Sequence, residues 1–265
     1  IANRLVGSEM CIRDRNDMFP EVRDLPSGMV DGKHYFAPVD WGDTTLFYMA
    51  DRIDWMDASN ESFALMEDPR VKGKVGILDS AADSLFLMMH HLGIDIREQD
   101  QLTKAAIDQG IDKFREMRDN GQIRAFFGDT SSMIEALGNE EIDVALGWNE
   151  IAWSAGAKMM QPANGTMTWA CGLAIVKGAD LDKAYAMING ATSAETSAYL
   201  LSEWGYGHSN KAGFSTLTAD ELAERGVASN PIEHLNNGMF SVMPTDEVTD
   251  YMDCLLYTSP SPRDG

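Results

Sequence analysis

Three tryptophans stand where a predicted strand meets a turn or loop, and each has polar or acidic residues beside it. They lie within Val39-Asp-Trp-Gly-Asp-Thr-Thr45, Ala145-Leu-Gly-Trp-Asn-Glu150 and Gly165-Thr-Met-Thr-Trp-Ala-Cys171. An indole face attracts an ammonium group through the ring quadrupole, and a carboxylate pairs with its charge. The pattern therefore favours binding of a small organic cation. For each tryptophan taken singly, burial in a core is the alternative interpretation.

Signatures of the common catalytic sites are missing. The sequence has no GxSxG, GxxxxGK[ST], HExxH or CxxC motif, and no GxGxxG opens a helix. His90 and His91 are adjacent, whereas helical metal ligands favour spacings of three or four residues, so we interpret them as part of a solvated helix face. Cys171 has no histidine partner fixed by spacing, which predicts a buried or pocket-lining thiol. We predict no catalytic residue, no metal and no cofactor.

The composition describes a globular chain with a strong acidic excess. Of its 265 residues, 44% are hydrophobic and 24% are charged, and the formal net charge is −21. Such a charge repels phosphate backbones and anionic lipid headgroups, which argues against nucleic acid and membrane surfaces as partners. No apolar run approaches the roughly 18 to 20 residues that span a bilayer.

Both ends of the chain match translated sequencing adapter. Residues 5–15 and 254–264 correspond to opposite strands of one transposase adapter oligonucleotide, so we predict that 1–15 and 254–265 are artefacts. The remainder has 17 basic and 39 acidic residues, and its single cysteine is Cys171. On this interpretation the protein is N-terminally truncated and any signal peptide is lost. The absence of a signal peptide then says nothing about localisation.

The elements that would position the tryptophans alternate between strands and helices. One long extended stretch is predicted at 35–48, and short strands are predicted at 74–78, 123–127, 143–147 and 172–176. Helices are predicted after the Asp79-Ser80 cap and at 101–120, 181–189 and 194–204. This alternation is typical of an α/β fold, in which ligands bind at strand ends.

Four segments in order along the chain carry a family resemblance. They are Pro38-Val-Asp-Trp-Gly-Asp-Thr-Thr45, Lys72-Gly-Lys-Val-Gly-Ile-Leu-Asp-Ser80, Glu141-Ile-Asp-Val-Ala-Leu-Gly-Trp-Asn149 and Thr168-Trp-Ala-Cys-Gly-Leu-Ala-Ile-Val-Lys-Gly-Ala179. Together with the late Trp204-Gly-Tyr-Gly207, they make residues 16–253 similar to the extracellular solute-binding proteins of ABC importers. Within these, the chain most resembles the spermidine/putrescine-binding branch.

The resemblance implies an α/β fold of the two-lobed periplasmic-binding-protein type II, with hinge crossovers and an incomplete first lobe. Residues 16–46 and 172–215 would form the remnant of the first lobe and the hinge segments. Residues 47–171 would form the second lobe, and 216–253 would form a C-terminal helical segment.

The resemblance also implies roles for individual residues. Trp148 and Trp169 match two cleft tryptophans that sandwich the ligand's methylene chain, and Asp83 matches a carboxylate that pairs with an amine. Cys171 stands where polyamine binders carry an aspartate, and losing that charge-assisted hydrogen bond, worth about 1.5–3 kcal/mol, makes a ligand with one cationic end competitive. Trp41 and Thr44 match a wall on the hinge side of the cleft, and Asp43, Asn149 and Glu150 are the polar neighbours of the tryptophans. The predicted ligand-binding residues are thus Trp41, Asp43, Thr44, Asp83, Trp148, Asn149, Glu150, Trp169 and Cys171.

The predicted function is the substrate-binding component of an ABC transporter, which captures a polyamine or related amine in an interlobe cleft and performs no chemistry. Its expected partners are the cationic ligand and the permease subunits, and it is expected to be a periplasmic monomer. Two alternatives stay open. The first is the same fold with a different solute (an amino acid derivative, a quaternary amine, an anion or a metal), and the second is the effector-sensing domain of a regulator.

Overall fold

The computed structural model describes residues 15–57, 59–227, 235 and 238–258. Of the two predicted adapter segments, residues 1–14 and 259–265 lie outside the described residues. Arg15–Asp17 is a short 3₁₀ turn, and residues 254–258 belong to the last helix. Within the described residues, no helix combines the length and the apolar character needed to cross a membrane.

Strands and helices alternate through most of the described chain. The strands are β1 (Met29–Val30), β2 (Lys33–His34), β3 (Ala37–Tyr48), β4 (Val75–Leu78), β5 (Ile123–Phe127), β6 (Val144–Trp148), β7 (Lys158–Met159), β8 (Met167–Leu173) and β9 (Gly207–His208). The α-helices are α1 (Pro20–Arg23), α2 (Phe86–His91), α3 (Lys104–Asp119), α4 (Thr130–Gly138), α5 (Asn149–Ala155), α6 (Leu181–Ala191), α7 (Ala194–Tyr199), α8 (Ala219–Glu224) and α9 (Asp246–Thr258). A π-helical turn at Ala81–Leu85 leads into α2, and a second one at Leu200–Trp204 continues α7.

The chain divides into two compact units. The first unit comprises residues 1–42 and 168–238, and the second comprises 43–167 and 239–265. Strand β3 therefore begins in the first unit and ends in the second. The sequence-based domain boundaries after residues 46 and 171 lie four residues further along the chain. The predicted C-terminal segment is divided at 238/239, where Gly238 packs closely on Thr168 of the first unit.

The second unit is built on a sheet with strand order β5-β4-β6-β3-β7. Strands β5, β4 and β6 are parallel, with Ile77 opposite both Phe126 and Leu146. Strand β3 runs antiparallel to β6 and β7, and pairs Thr44 with Trp148. Because β4, β5 and β6 are parallel, the segments that follow them leave the sheet at one edge.

Side chains of this sheet alternate between two cores. Leu46 and Tyr48 pack in the cluster that contains Ile107 of α3, whereas Phe47 packs in the cluster that contains Met133 of α4. Both faces of the sheet are thus covered by helices, which is the arrangement that parallel strands require.

Local capping explains where the helices of the second unit begin. Thr103 accepts a hydrogen bond from the backbone N–H of Ala106, and Asp129 accepts one from that of Ser132. The predicted cap at Ser80 is wrong, because its side chain makes no capping bond to the following turn. The hydroxyl of Ser80 instead donates to Oδ2 of Asp83 at 2.7 Å, and the turn is π-helical.

The first unit contains the start of β3 together with β8 and β9. Asp40 and Trp41 pair with His208 and Gly207 in an antiparallel ladder. The strand predicted at 172–176 is instead β8, which ends at Leu173. Beyond it Ile175 packs into a small core with residues of α6, so the apolar run reflects core packing and not a continued strand.

Candidate functional site

The carboxyl ends of β4, β5 and β6 meet at one edge of the second unit's sheet. The segments that leave this edge carry Ser80 and Asp83 after β4, Asp129 after β5, and Asn149 and Glu150 after β6. We call this edge, with its acidic residues Asp83, Asp129 and Glu150, the carboxylate edge. Four of the nine predicted ligand-binding residues follow or end these strands: Asp83, Trp148, Asn149 and Glu150.

Asp83 is held in place by its own π-helical turn. Its Oδ2 accepts a hydrogen bond from the Ser80 hydroxyl at 2.7 Å, and the side chain is half-buried. Asp83 forms no ion pair with any residue that the structure describes. A carboxylate that is oriented by a hydroxyl keeps its negative charge available to a cation.

Glu150 lies in the first turn of α5. Burial raises the pKa of Glu150, and a hydrogen bond with the side chain of Thr130 partly opposes that rise. The bond links the segment after β6 to the start of α4, which follows β5. Glu150 is therefore a partly desolvated acid whose charge would be stabilised by a cation.

Asp43 and Asn149 form a buried link from β3 to α5. The backbone N–H of Asp43 donates to Oδ1 of Asn149 at 3.2 Å, and both side chains are almost fully buried. Thr44 is also fully buried and lies opposite Trp148 in the ladder. Asp43, Thr44 and Asn149 thus form a buried layer behind the carboxylate edge. Trp148 is half-buried, with part of its ring packed against the core cluster of α4 and α5.

Trp169 and Cys171 lie on β8 in the first unit. The Trp169 ring meets that of Tyr206 edge to face, with centroids 5.1 Å apart and an interplanar angle of 85°. The indole Nε1 of Trp169 is buried and has no hydrogen-bond partner within the described residues. Cys171 is exposed, so the expectation of a buried thiol is wrong, and a pocket-lining thiol stays a prediction.

Trp41 occupies the core of the first unit. It is 1% exposed, its Nε1 donates to the carbonyl of His208 at 3.0 Å, and its ring stacks on Phe214 with centroids 6.3 Å apart. Packing and one hydrogen bond account for this tryptophan without any ligand. Its predicted contact with a ligand gains no support from the geometry, because no face of the ring is open.

Two aromatic residues were missed at the sequence level. Tyr206 contacts Trp169, and the Trp204 ring lies 6.3 Å from that of Tyr206. The Trp204-Gly-Tyr-Gly207 sequence was noted for its resemblance, but its position after a predicted helix gave no reason to expect contact with β8. We call the rings of Trp169, Tyr206 and Trp204 the aromatic wall.

The adjacent histidines have structural partners. Nε2 of His91 lies 2.8 Å from the Glu67 carboxylate, and Nε2 of His90 lies 2.9 Å from the carbonyl oxygen of Asn164. Within the described residues, no three His, Cys, Asp or Glu side chains are grouped so that they could hold a metal ion.

Solved structures of similar fold cover almost the whole chain. A protein described as a spermidine/putrescine ABC transporter of Listeria monocytogenes matches with a TM-score of 0.77 at 20% identity, over 97% of this chain and 78% of its own. The Tp0655 (TpPotD) lipoprotein of Treponema pallidum matches with a TM-score of 0.73 at 14% identity, over 97% and 78%. MotA of A. tumefaciens B6, in complex with glucopine, matches with a TM-score of 0.67 at 15% identity, over 97% and 76%.

These structural matches establish the fold, and the predicted α/β class of the periplasmic binding proteins is confirmed. No curated protein matches the sequence. A family model described as bacterial extracellular solute-binding protein matches residues 14–221. Because that match covers most of the chain, the protein belongs to the bacterial extracellular solute-binding proteins.

Proposed function

We propose that the protein is the substrate-binding component of an ABC importer and captures a small organic cation, a polyamine or a related amine. Solute-binding proteins of this kind bind small ligands and work with permease subunits in the membrane. We further propose that it acts in the periplasm as a monomer, and that it releases the ligand unchanged.

The observation that carries the cationic ligand is the carboxylate edge of the second unit. Asp83 and Glu150 leave adjacent parallel strands at the same edge, and Trp148 ends one of those strands. Carboxylates accept hydrogen bonds from an ammonium group, and an indole face covers the alkyl chain attached to it. An amine with a short carbon chain matches this combination.

The exposed thiol of Cys171 favours a second candidate, an amino acid derivative with a single ammonium group. A thiol is a weak acceptor and carries no charge in its neutral form, so it gives little support to a second cationic end. The fold is also similar to that of MotA in complex with glucopine. The two candidates differ in the number of positive charges on the ligand, and calorimetry distinguishes them directly.

Calorimetric titration of the full chain with putrescine, spermidine, choline, betaine and arginine tests the proposal. We expect at least one of these to bind, and we expect Asp83→Asn and Glu150→Gln each to weaken binding about 10-fold or more, the loss typical of a charge-assisted hydrogen bond. Affinity should also fall in acid, because protonation removes the charge of Glu150, whose pKa is raised by burial.

The matched control is Asp119→Asn, which removes one negative charge from the exposed end of α3. It should leave affinity unchanged. The proposal is wrong if none of the five compounds binds, or if the control weakens binding as much as Asp83→Asn does.

A further inference from the structure

The π-helical turn that carries Asp83 is bonded to two neighbouring strands of the second unit. Just before the turn, the backbone N–H of Asp79 donates to the carbonyl of Phe127, the last residue of β5, at 2.8 Å. Within the turn, the buried hydroxyl of Ser84 donates to the carbonyl of Leu78, the last residue of β4, at 2.6 Å. Bonds on both sides of Asp83 therefore hold its backbone at the carboxylate edge.

The side chain of Ser80 acts as a hydrogen-bond donor to Asp83 and not as a helix cap. Thr103 and Asp129 stand at the equivalent position before helices of the same unit, and each accepts a hydrogen bond from a backbone N–H. The hydroxyl of Ser80 makes no such bond, and it donates its one hydrogen to Oδ2 of Asp83 at 2.7 Å. Oδ1 of Asp83 has no hydrogen-bond partner among the described residues. The two oxygens of this carboxylate therefore differ, because one is engaged by a hydroxyl and the other is not.

This difference decides which kind of cation the carboxylate of Asp83 holds best. A guanidinium group pairs best through two parallel N–H donors, one to each carboxylate oxygen. A primary ammonium group carries three N–H donors on a rotatable nitrogen and needs one acceptor from this carboxylate. The hydroxyl of Ser80 competes for Oδ2 with one arm of the guanidinium fork, whereas it leaves an ammonium contact with Oδ1 intact.

We propose that Ser80 is a positioning residue that makes Asp83 select a primary ammonium group over a guanidinium group. This inference rests on the proposed function and narrows its ligand from small organic cations in general to primary amines. A quaternary ammonium group is disfavoured as well, because it has no N–H to donate to Oδ1. Ser80 and Asp83 both belong to the second unit, so the selection between the two groups does not depend on the first unit.

The experiment is calorimetric titration of the full chain with putrescine and spermidine, each compared with the same carbon chain carrying guanidinium groups at both ends. The wild type should bind the better of the two amines about 10-fold more tightly than its guanidinium analogue, the difference that one charge-assisted hydrogen bond makes. Ser80→Ala frees Oδ2 and should reduce this ratio of affinities about 10-fold. Ser80→Thr keeps the hydroxyl and should keep the ratio, since the extended backbone at residue 80 suits a β-branched side chain.

Ser59→Ala is the matched control, because it removes another hydroxyl that donates to a carboxylate, that of Asp57, in an exposed loop of the same unit. The ratio of affinities should be unchanged in this variant. A merely structural role for Ser80 would weaken the binding of both ligands equally. An unchanged ratio in Ser80→Ala therefore overturns the inference, and so does an equal fall of the ratio in Ser59→Ala.

The wild type alone also tests the inference. Binding of the guanidinium analogue as tightly as the amine overturns it, while the proposed function stands. The inference fails as well if neither putrescine nor spermidine binds. In that case the proposed function stands if choline, betaine or arginine binds, and it fails if none of the five compounds binds.

Discussion

Acid should destabilise the protein through one buried histidine, His208 of β9. Its side chain is fully buried in the first unit, and the backbone N–H of Asn210 donates to its Nδ1 at 3.0 Å. Since Nδ1 accepts, Nε2 carries the hydrogen and donates to the carbonyl of Ala191, also at 3.0 Å. A second proton on Nδ1 would point at the Asn210 N–H, so the site accepts only the neutral ring.

The size of the effect follows from the pKa. Burial lowers the pKa of His208 from 6.5 to about 4, although the bond to the Ala191 carbonyl opposes this. The unfolded chain therefore binds a proton that the folded chain refuses, and stability falls as pH drops from 6.5 towards 4. At 1.36 kcal/mol per pKa unit, the loss between pH 7 and pH 4.5 is about 2.5 kcal/mol.

The assay is urea unfolding of the wild type and His208→Gln at several pH values between 7 and 4.5. At pH 7 the variant should be less stable by about 1–3 kcal/mol, because the Asn210 N–H loses its acceptor. That gap should close by about 2.5 kcal/mol at pH 4.5, and carboxylate titrations common to both proteins cancel in the difference.

His90→Gln, on α2, shows whether the loss of any imidazole has the same consequence. A gap between the wild type and His208→Gln that stays constant from pH 7 to pH 4.5 would refute the reasoning. The reasoning would also be refuted if the difference in free energy of unfolding between the wild type and His90→Gln narrowed equally over this pH range.

Two further predictions concern packing and pairing. Gly207→Ala places a methyl group against the Trp41 ring, so it should lower the free energy of unfolding by about 1–3 kcal/mol, and a variant as stable as the wild type in urea would contradict that packing. Arg52→Leu removes three hydrogen bonds, among them a 2.6 Å pair with Asp143 and a 2.8 Å bond to the carbonyl of Leu137. Arg52→Leu should lower the free energy of unfolding by about 2 kcal/mol. Adding Asp143→Asn to the Arg52→Leu variant should restore part of that loss, because it removes the carboxylate left without Arg52. If the double variant is no more stable than Arg52→Leu, the pair of Arg52 and Asp143 is not the source of the stability.

Elements governed by neighbouring residues were predictable from the sequence. Strand β5 was placed at its observed bounds, because a short run rich in apolar and aromatic residues is a local signal. The π-helical turn before α2 was missed, since an i→i+5 turn leaves no periodic signature of its own. That omission also hid how Ser80 orients Asp83.

Long-range packing decided the remaining differences. Trp41 is adjacent to acids in the sequence, yet its partner His208 is 167 residues away and its stacking partner Phe214 lies further still. The residues near Trp41 in the sequence give no indication of those contacts. Trp41 was therefore predicted to face a ligand, because it has acidic neighbours and was placed at the end of a strand. Trp169 and Tyr206 are also far apart in the sequence, by 37 residues, and the aromatic wall was missed for that reason.

The acidic excess of the chain is informative only after local pairing is considered. Many acids are matched by a nearby base: Asp68 pairs with Arg70, Asp95 with Arg97, and Glu67 with Lys113. Each such pair sums to zero charge, so it adds nothing to the net charge of −21 and offers little to a ligand. Asp83 differs, because its partner is the Ser80 hydroxyl, which orients the carboxylate without neutralising it. A cationic ligand is therefore proposed from the Asp83 carboxylate, which no ion pair among the described residues neutralises, and not from the net charge of the chain.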